Sequence, residues 1–181
     1  MIERETYLKR LLSWREKQII KVVTGVRRCG KSTLFARYIE HLKSLGVSDD
    51  QIIFVNLEDL DYAELLEAQA LYRYVKERLC LDKVTYIFLD EVQNCKGFER
   101  VVDNLFIKPN TDVYITGSNA YMLSGELATL LSGRYITISM LPLSFREYWE
   151  AVAESGRSKA EAFNDYLRYG SFPYITQLKL D

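Results

Sequence analysis

The chain has 181 residues, a length that suits one domain rather than two, and its 48% hydrophobic content excludes intrinsic disorder and small stapled scaffolds. With 24 Lys and Arg against 25 Asp and Glu, the net charge of -1 lacks the basic excess of an electrostatic nucleic-acid binder and leaves only a local patch open. Cys29, Cys80 and Cys95 show neither C-x-x-C nor Cys/His spacing and read as reduced thiols of a cytoplasmic protein; a leader pattern and an apolar run of about 18 residues are also absent, so no membrane span is expected.

In chain order, Arg4 to Glu16 carry Leu8, Leu11 and Leu12 at helical spacing among charges, which predicts a short amphipathic helix laid against the domain. Ile19, Ile20, Val22 and Val23 form a β-branched run ending in Thr24-Gly25, the pattern of a buried parallel strand. Residues 31–45 read as a helix, and residues 51–57 as a second strand after a turn at 46–50. Asp61 and Glu64 sit in an N-capping arrangement that predicts a long helix, with Leu65, Ala68, Tyr72, Val75 and Leu79 on a stripe that packs into the core.

Apolar runs at 84–89, 113–116 and 135–140 bring the strands to five, alternating with helices. The expected fold is therefore α/β, a three-layer sandwich of a five-stranded, mostly parallel sheet with helices on both faces. Beyond Pro142 the pattern turns helical, with capping boxes at 144–147 and 158–161 and with Gly156 and Gly170 as helix stops. The expected division is an N-terminal helix at 1–16, a core at 17–141 and a short helical segment at 142–181.

Residues 25–32, Gly-Val-Arg-Arg-Cys-Gly-Lys-Ser, match G-x-x-x-x-G-K-[ST] and lie where a strand should end and a helix begin. Such a P-loop needs Gly25 and Gly30 because its backbone must curl around phosphates and present N–H groups to them. Lys31 would reach the β and γ phosphates of a nucleotide, and Ser32 would offer its hydroxyl to Mg²⁺ at the positive end of the helix. The expected contact segment is Gly25, Val26, Arg27, Arg28, Cys29, Gly30, Lys31, Ser32 and Thr33. Arg27 and Arg28 could touch phosphate or a neighbouring subunit, or be solvated. Cys29 could be an activated thiol beside a helix N-terminus or a small filler of the loop.

Tyr86-Ile87-Phe88-Leu89 runs into Asp90-Glu91, the Walker B arrangement. Asp90 would hold Mg²⁺, and Glu91 would orient the water that attacks the γ-phosphate. After the fourth strand, Ser118 and Asn119 would lie beside Asp90 if the two strands are neighbours, and otherwise would cap a turn. Arg134, just before the fifth strand, could stabilise transition-state charge on another subunit, or be a plain surface arginine.

These segments, with Leu131-Ser132-Gly133-Arg134-Tyr135 and Pro142-Leu143-Ser144-Phe145-Arg146-Glu147-Tyr148, make the chain resemble the AAA+ ATPase superfamily. Within it, the chain is similar to a bacterial and archaeal group whose ATPase domain precedes a C-terminal domain of unknown function. The resemblance implies a P-loop NTPase fold that binds ATP and Mg²⁺, with Ser118 or Asn119 in the sensor position and Arg134 as an arginine finger between subunits of a homo-oligomer. It also implies that the chain stops at the start of a helical lid, and that a client, protein or nucleic acid, is met by the missing C-terminal part. The leading expectation is a Mg²⁺-dependent ATPase that couples turnover to conformational change. An ATP-binding switch with little hydrolysis and a small-molecule P-loop kinase are the alternatives, the latter disfavoured by Glu91 and by the lack of an acceptor lid.

Overall fold

A computed structural model describes residues 2, 4–118, 131–153 and 156–177. The elements in chain order are α1 (Glu5–Ser13), β1 (Ile20–Gly25), α2 (Lys31–Ser44), β2 (Ile52–Asn56), α3 (Ala68–Lys76), β3 (Thr85–Asp90), α4 (Phe98–Phe106), β4 (Thr111–Gly117), β5 (Tyr135–Met140), α5 (Phe145–Val152) and α6 (Lys159–Tyr169). The strands form one sheet in the order β2-β3-β4-β1-β5, and every pairing is parallel.

Both faces of this sheet are covered, so β1, β3 and β4 are buried along nearly their whole length. Alternate residues of β3 face opposite layers. Ile87 and Leu89 pack with Leu71 and Val75 of α3 and with Val101, Val102 and Leu105 of α4. Tyr86 and Phe88 pack with Leu11 of α1 and with Phe35, Tyr38 and Leu42 of α2. The stripe expected on the third helix does enter the core, since Leu65 and Val75 are buried and Ala68, Tyr72 and Leu79 pack against it. No helix among the described residues is long and apolar enough to cross a membrane.

The long helix expected from Asp61 and Glu64 does not form. Residues Leu60–Leu65 make a 3₁₀ turn capped by Asp59, whose carboxylate accepts from the Asp61 N–H at 3.1 Å. The chain then turns extended at Glu67, which bridges to Lys96, while the Lys96 N–H donates to the Leu66 carbonyl at 2.9 Å. This backbone pairing outcompetes helix continuation, and α3 starts afresh at Ala68.

Beyond β5, both capping boxes form, at Ser144 with Glu147 and at Ser158 with Glu161. Helices α5 and α6 pack around Leu143, Tyr148, Val152 and Ala162, with Phe145 edge-on to Phe163 at 4.9 Å. The Leu143 N–H donates to the Ser171 carbonyl at 2.7 Å, and the turn Pro173–Gln177 is thereby brought back to the body of the domain.

At the N-terminal ends of β1 and β4 lies a buried ion pair between Lys21 and Asp112. The Lys21 ammonium also donates to the Lys17 carbonyl at 2.8 Å. Asp112 accepts from the Glu16 N–H at 2.8 Å and from the Tyr114 hydroxyl at 2.7 Å, and Tyr114 shares a further bond with Tyr38 at 2.9 Å. Burial pulls the Lys21 pKa down, and the Asp112 carboxylate opposes that shift. Asp112→Ala leaves a buried ammonium unpaired and is expected to cost about 3–5 kcal/mol in urea unfolding. Pairing Lys21→Met with Asp112→Leu is expected to restore most of that loss, an outcome that additive single-variant costs would refute.

Candidate functional site

Parallel pairing places the C-terminal ends of β3, β4 and β1 side by side, and three loops leave the sheet there. The loop after β1 spans Val26 to Gly30 and leads directly into α2, whose first residue is Lys31. A Cβ at Gly25 would stand 2.5 Å from the Met140 carbonyl oxygen and 2.7 Å from the Cys29 sulfur, so no other residue fits. Gly30 takes φ 103°, a left-handed value that favours glycine. Arg28 is also left-handed, at φ 66°.

Val26, Arg27 and Arg28 are exposed along the loop, and Arg27 pairs with Glu58 across from it. Cys29 instead turns inward and is fully buried against the α2 side of the core. Burial pushes its thiol pKa up, against the opposing pull of Lys31 and Arg4. The activated-thiol reading of Cys29 is therefore overturned, and the filler reading stands.

Lys31 is buried, with Nζ 3.0 Å from Oε1 of Glu91 and 3.4 Å from the Gly25 carbonyl. Asp90 ends β3 with its side chain fully buried. Burial raises its pKa, the Ser32 and Thr116 hydroxyls pull it back, and Lys31 helps them. Its Oδ2 has no hydrogen-bond partner among the described residues. A buried carboxylate oxygen left without a partner is costly unless something else meets it, and exposed Ser32 sits at the same mouth. Two hard oxygen donors of this kind at the mouth of a phosphate loop fit a divalent cation that also takes phosphate oxygens, which is how Mg²⁺ is usually held.

Glu91 follows in a left-handed conformation, φ 53°, which is uncommon for a residue with a Cβ. Its N–H donates to the Thr116 Oγ1 at 2.9 Å, and the same hydroxyl donates to Asp90 Oδ1. One threonine thus fixes both carboxylate residues at the edge of the sheet. Gln93 Nε2 donates to Glu91 Oε2 at 2.6 Å, and the side-chain oxygen Gln93 Oε1 is itself buried without a hydrogen-bond partner among the described residues. Sequence reasoning missed Thr116 and Gln93. The Thr116 signal was its register beside Asp90, which only the β3–β4 pairing reveals.

Ser118 is half-buried immediately after β4, so the condition that its strand neighbours the acidic one is met. Asn119 lies outside the described residues. Arg134 lies elsewhere: it precedes β5 at the opposite end of the sheet from the loop, where its carbonyl accepts from the Ile20 N–H at 2.8 Å. Six strand residues at about 3.3 Å each separate it from the Met140 end, roughly 20 Å. Its guanidinium is half exposed, pairs with Asp103 and lies over the Phe106 ring at 5.9 Å.

Beside the phosphate loop a cavity of about 600 Å³ opens between Gly30, Thr33, Arg4, Leu143, Ala151 and Pro173. Pro173, Thr176 and Gln177, from the segment expected to begin a helical lid, thus supply a wall next to the loop.

A family model described as an AAA domain matches residues 17–149. An uncharacterized protein of Haemophilus influenzae is 40% identical over 178 residues, covering 97% of this chain and 44% of its own length. The chain therefore spans less than half of that relative. Among solved structures, a Walker-type ATPase of Pyrococcus abyssi superposes with a TM-score of 0.68 at 16% identity, over 97% of this chain and 66% of that one. AMPPCP-bound DnaA from Aquifex aeolicus gives 0.60 at 15% identity, over 94% and 56%. These structural likenesses concern the fold, an α/β sandwich of the P-loop ATPase kind.

Native thiol labelling is expected to reach Cys80, which is half-buried and near the surface, well before Cys29 and Cys95, whose thiol is pushed up to about 11 by burial. Rapid modification of Cys29 in the folded protein, followed by peptide mass mapping, would contradict the inward placement of its side chain.

Proposed function

The chain belongs to the AAA domain family, and on that premise we propose that it binds ATP with Mg²⁺ and hydrolyses it, coupling turnover to conformational change. The observation that carries the proposal is the set at the ends of β1, β3 and β4: one buried lysine, two carboxylates with the Ser32 hydroxyl close to Asp90, and an Asp90 Oδ2 with no aligned hydrogen bond among the described residues.

In this reading the loop backbone of residues 25–30 and the N-terminus of α2 receive the phosphates, and Lys31 holds the β and γ phosphates. Ser32 and Asp90 would hold Mg²⁺, which supplies charge neutralisation on the phosphate oxygens. Asp90 must be ionised for this, and the Thr116 hydroxyl occupies its Oδ1, so Oδ2 would be the oxygen that meets the ion. Glu91 is the base: its carboxylate polarises the attacking water and takes its proton. Here Glu91 is held by Lys31 and Gln93, so arrival of the γ-phosphate would draw Lys31 away and free one carboxylate oxygen for water. Ser118 and Asn119 would orient that water or the γ-phosphate. The 600 Å³ cavity next to Gly30 and Thr33 has room for the base and sugar.

Arg134 is about 20 Å from this site by strand rise, so it would act on a second copy rather than its own. Release of its pair with Asp103 would accompany that assembly. Recognition of a client, protein or nucleic acid, is assigned to the part of the longer relatives that this chain does not span. One observation favours a second reading, an ATP-binding switch with little turnover: the Lys31–Glu91–Gln93 set ties up the base.

Lys31→Ala is expected to abolish ATP binding. Glu91→Gln should bind Mg-ATP as the unaltered chain does while turnover falls about 10²- to 10⁴-fold, the usual worth of a general base. Phosphate release that survives Glu91→Gln removes the base assignment, and tight binding with negligible release by the unaltered chain selects the switch. Turnover per subunit should rise with protein concentration and lose that rise in Arg134→Ala. Chelation with EDTA should stop release in every case.

A further inference from the structure

Arg4 precedes α1, yet its side chain is only 6% exposed. Its guanidinium meets three segments that are distant in sequence. Nη1 donates to the Cys29 carbonyl of the phosphate loop at 3.3 Å, and Nη2 donates to the Leu141 carbonyl at the exit of β5 at 2.6 Å. Nε stands 2.9 Å from Oε1 of Glu147 in the first turn of α5, an ion pair rather than an aligned hydrogen bond. Tyr7 braces the group from one side, its ring 4.8 Å from the guanidinium carbon and its hydroxyl accepting from the Leu141 N–H at 3.2 Å.

The two oxygens of Glu147 divide their work. Oε2 caps α5 by accepting from the Ser144 N–H and hydroxyl, each at 2.8 Å, which leaves Oε1 for Arg4. A trans peptide unit points its C=O and N–H in opposite directions. Holding the Cys29 carbonyl toward Arg4 therefore aims the Gly30 N–H away from Arg4 and across the loop, where a fixed donor serves an anion. A lysine could not copy this, because one ammonium on a flexible stem does not span three acceptors in a fixed fork.

We infer that Arg4 is a positioning residue that fastens α5 to the phosphate loop, so that nucleotide binding at the loop and docking of α5 favour each other. This rests on the reading of the loop as an ATP site. Coupling is reciprocal: a loop ordered by phosphate holds the Cys29 carbonyl for Arg4, and Arg4 held by Glu147 orders the loop. Three carbonyl and carboxylate partners on one buried charge also mean that moving α5 away strands the guanidinium, which makes the contact all-or-none rather than graded.

The test compares Arg4→Ala, Arg4→Lys and Glu147→Gln, the last keeping the capping box while removing the charge. Binding of a fluorescent ATP analogue and steady-state turnover are measured with Lys31→Ala as the non-binding control. Arg4→Ala should weaken ATP affinity about tenfold, within the usual range of coupling between sites. In Glu147→Gln, whose side chain does not line the cavity beside Gly30, turnover at saturating ATP should stay within about twofold, so that KM moves and kcat does not. Arg4→Lys and Glu147→Gln should shift affinity in the same direction by less, and Glu147→Gln added to Arg4→Ala should cost nothing more. Amide exchange at residues 29–31, read without nucleotide, should quicken in both Arg4→Ala and Glu147→Gln. Unaltered affinity and loop exchange, or a loss of thermal stability alone, overturns the inference. An unaltered chain that binds no ATP overturns the ATPase reading instead, and the exchange data then decide the coupling separately. Should Arg4→Ala fail to fold, Arg4→Lys and Glu147→Gln carry the same two readouts.

Discussion

Covering both faces of a parallel sheet leaves its charged groups two options, to be paired inside or to collect at the strand ends. β1, β3 and β4 are buried nearly throughout, and their polar side chains follow that rule. Lys21 and Asp112 gather at the entry ends of β1 and β4. Lys31, Asp90, Glu91 and Thr116 gather at the exit ends of β1, β3 and β4. The order β3-β4-β1 makes these clusters possible, because it inserts β4 between the loop-bearing strand and the acidic one. A β4 register shifted by one residue would turn Thr116 to the other face, and Asp90 and Glu91 would lose their shared hydroxyl.

The two clusters contain similar chemistry and differ in how completely they are satisfied. At the entry end, the Lys21 ammonium and both Asp112 oxygens have protein partners, including a backbone carbonyl and a backbone N–H. A network closed in this way specifies structure and has nothing left to offer a ligand. At the exit end, Asp90 Oδ2 and Gln93 Oε1 are buried without an aligned hydrogen bond among the described residues, and Glu91 sits in a left-handed conformation. Unsatisfied donors and acceptors together with local backbone strain are the physical mark of a place that something else completes. The contrast separates a structural ion pair from a candidate site without reference to any motif.

Elements with a local cause were legible in the sequence. The β-branched run before Gly25, the glycine and lysine spacing of the loop, the apolar strand before Asp90 and both capping boxes each need only neighbours within a few residues. What stayed hidden depends on partners far along the chain. Lys21 reads as one charge inside an apolar run until Asp112, 91 residues on, is set beside it by the β1–β4 pairing. Thr116 reads as strand, whereas Ser118 and Asn119 read as the polar residues that follow it. The helix expected after Asp61 failed because a backbone pairing between residues 66–67 and Lys96 is invisible to local propensity. Cys29 was readable either way, and only its inward turn against Gly25 separated filler from nucleophile.

Arg4 follows the same logic at the edge of the domain. The structure buries its guanidinium against two backbone carbonyls and one carboxylate from separate segments. A buried guanidinium is costly to leave half-paired, so its partners hold position together or not at all. Because one of those partners is the carbonyl of Cys29 and another belongs to the first turn of α5, movement of the helical segment and order in the phosphate loop share a single electrostatic link. The sheet alone would hold the loop by its strand ends. The link through Arg4 gives it a second support, one placed where a change in the helices can reach the phosphates without passing through the core.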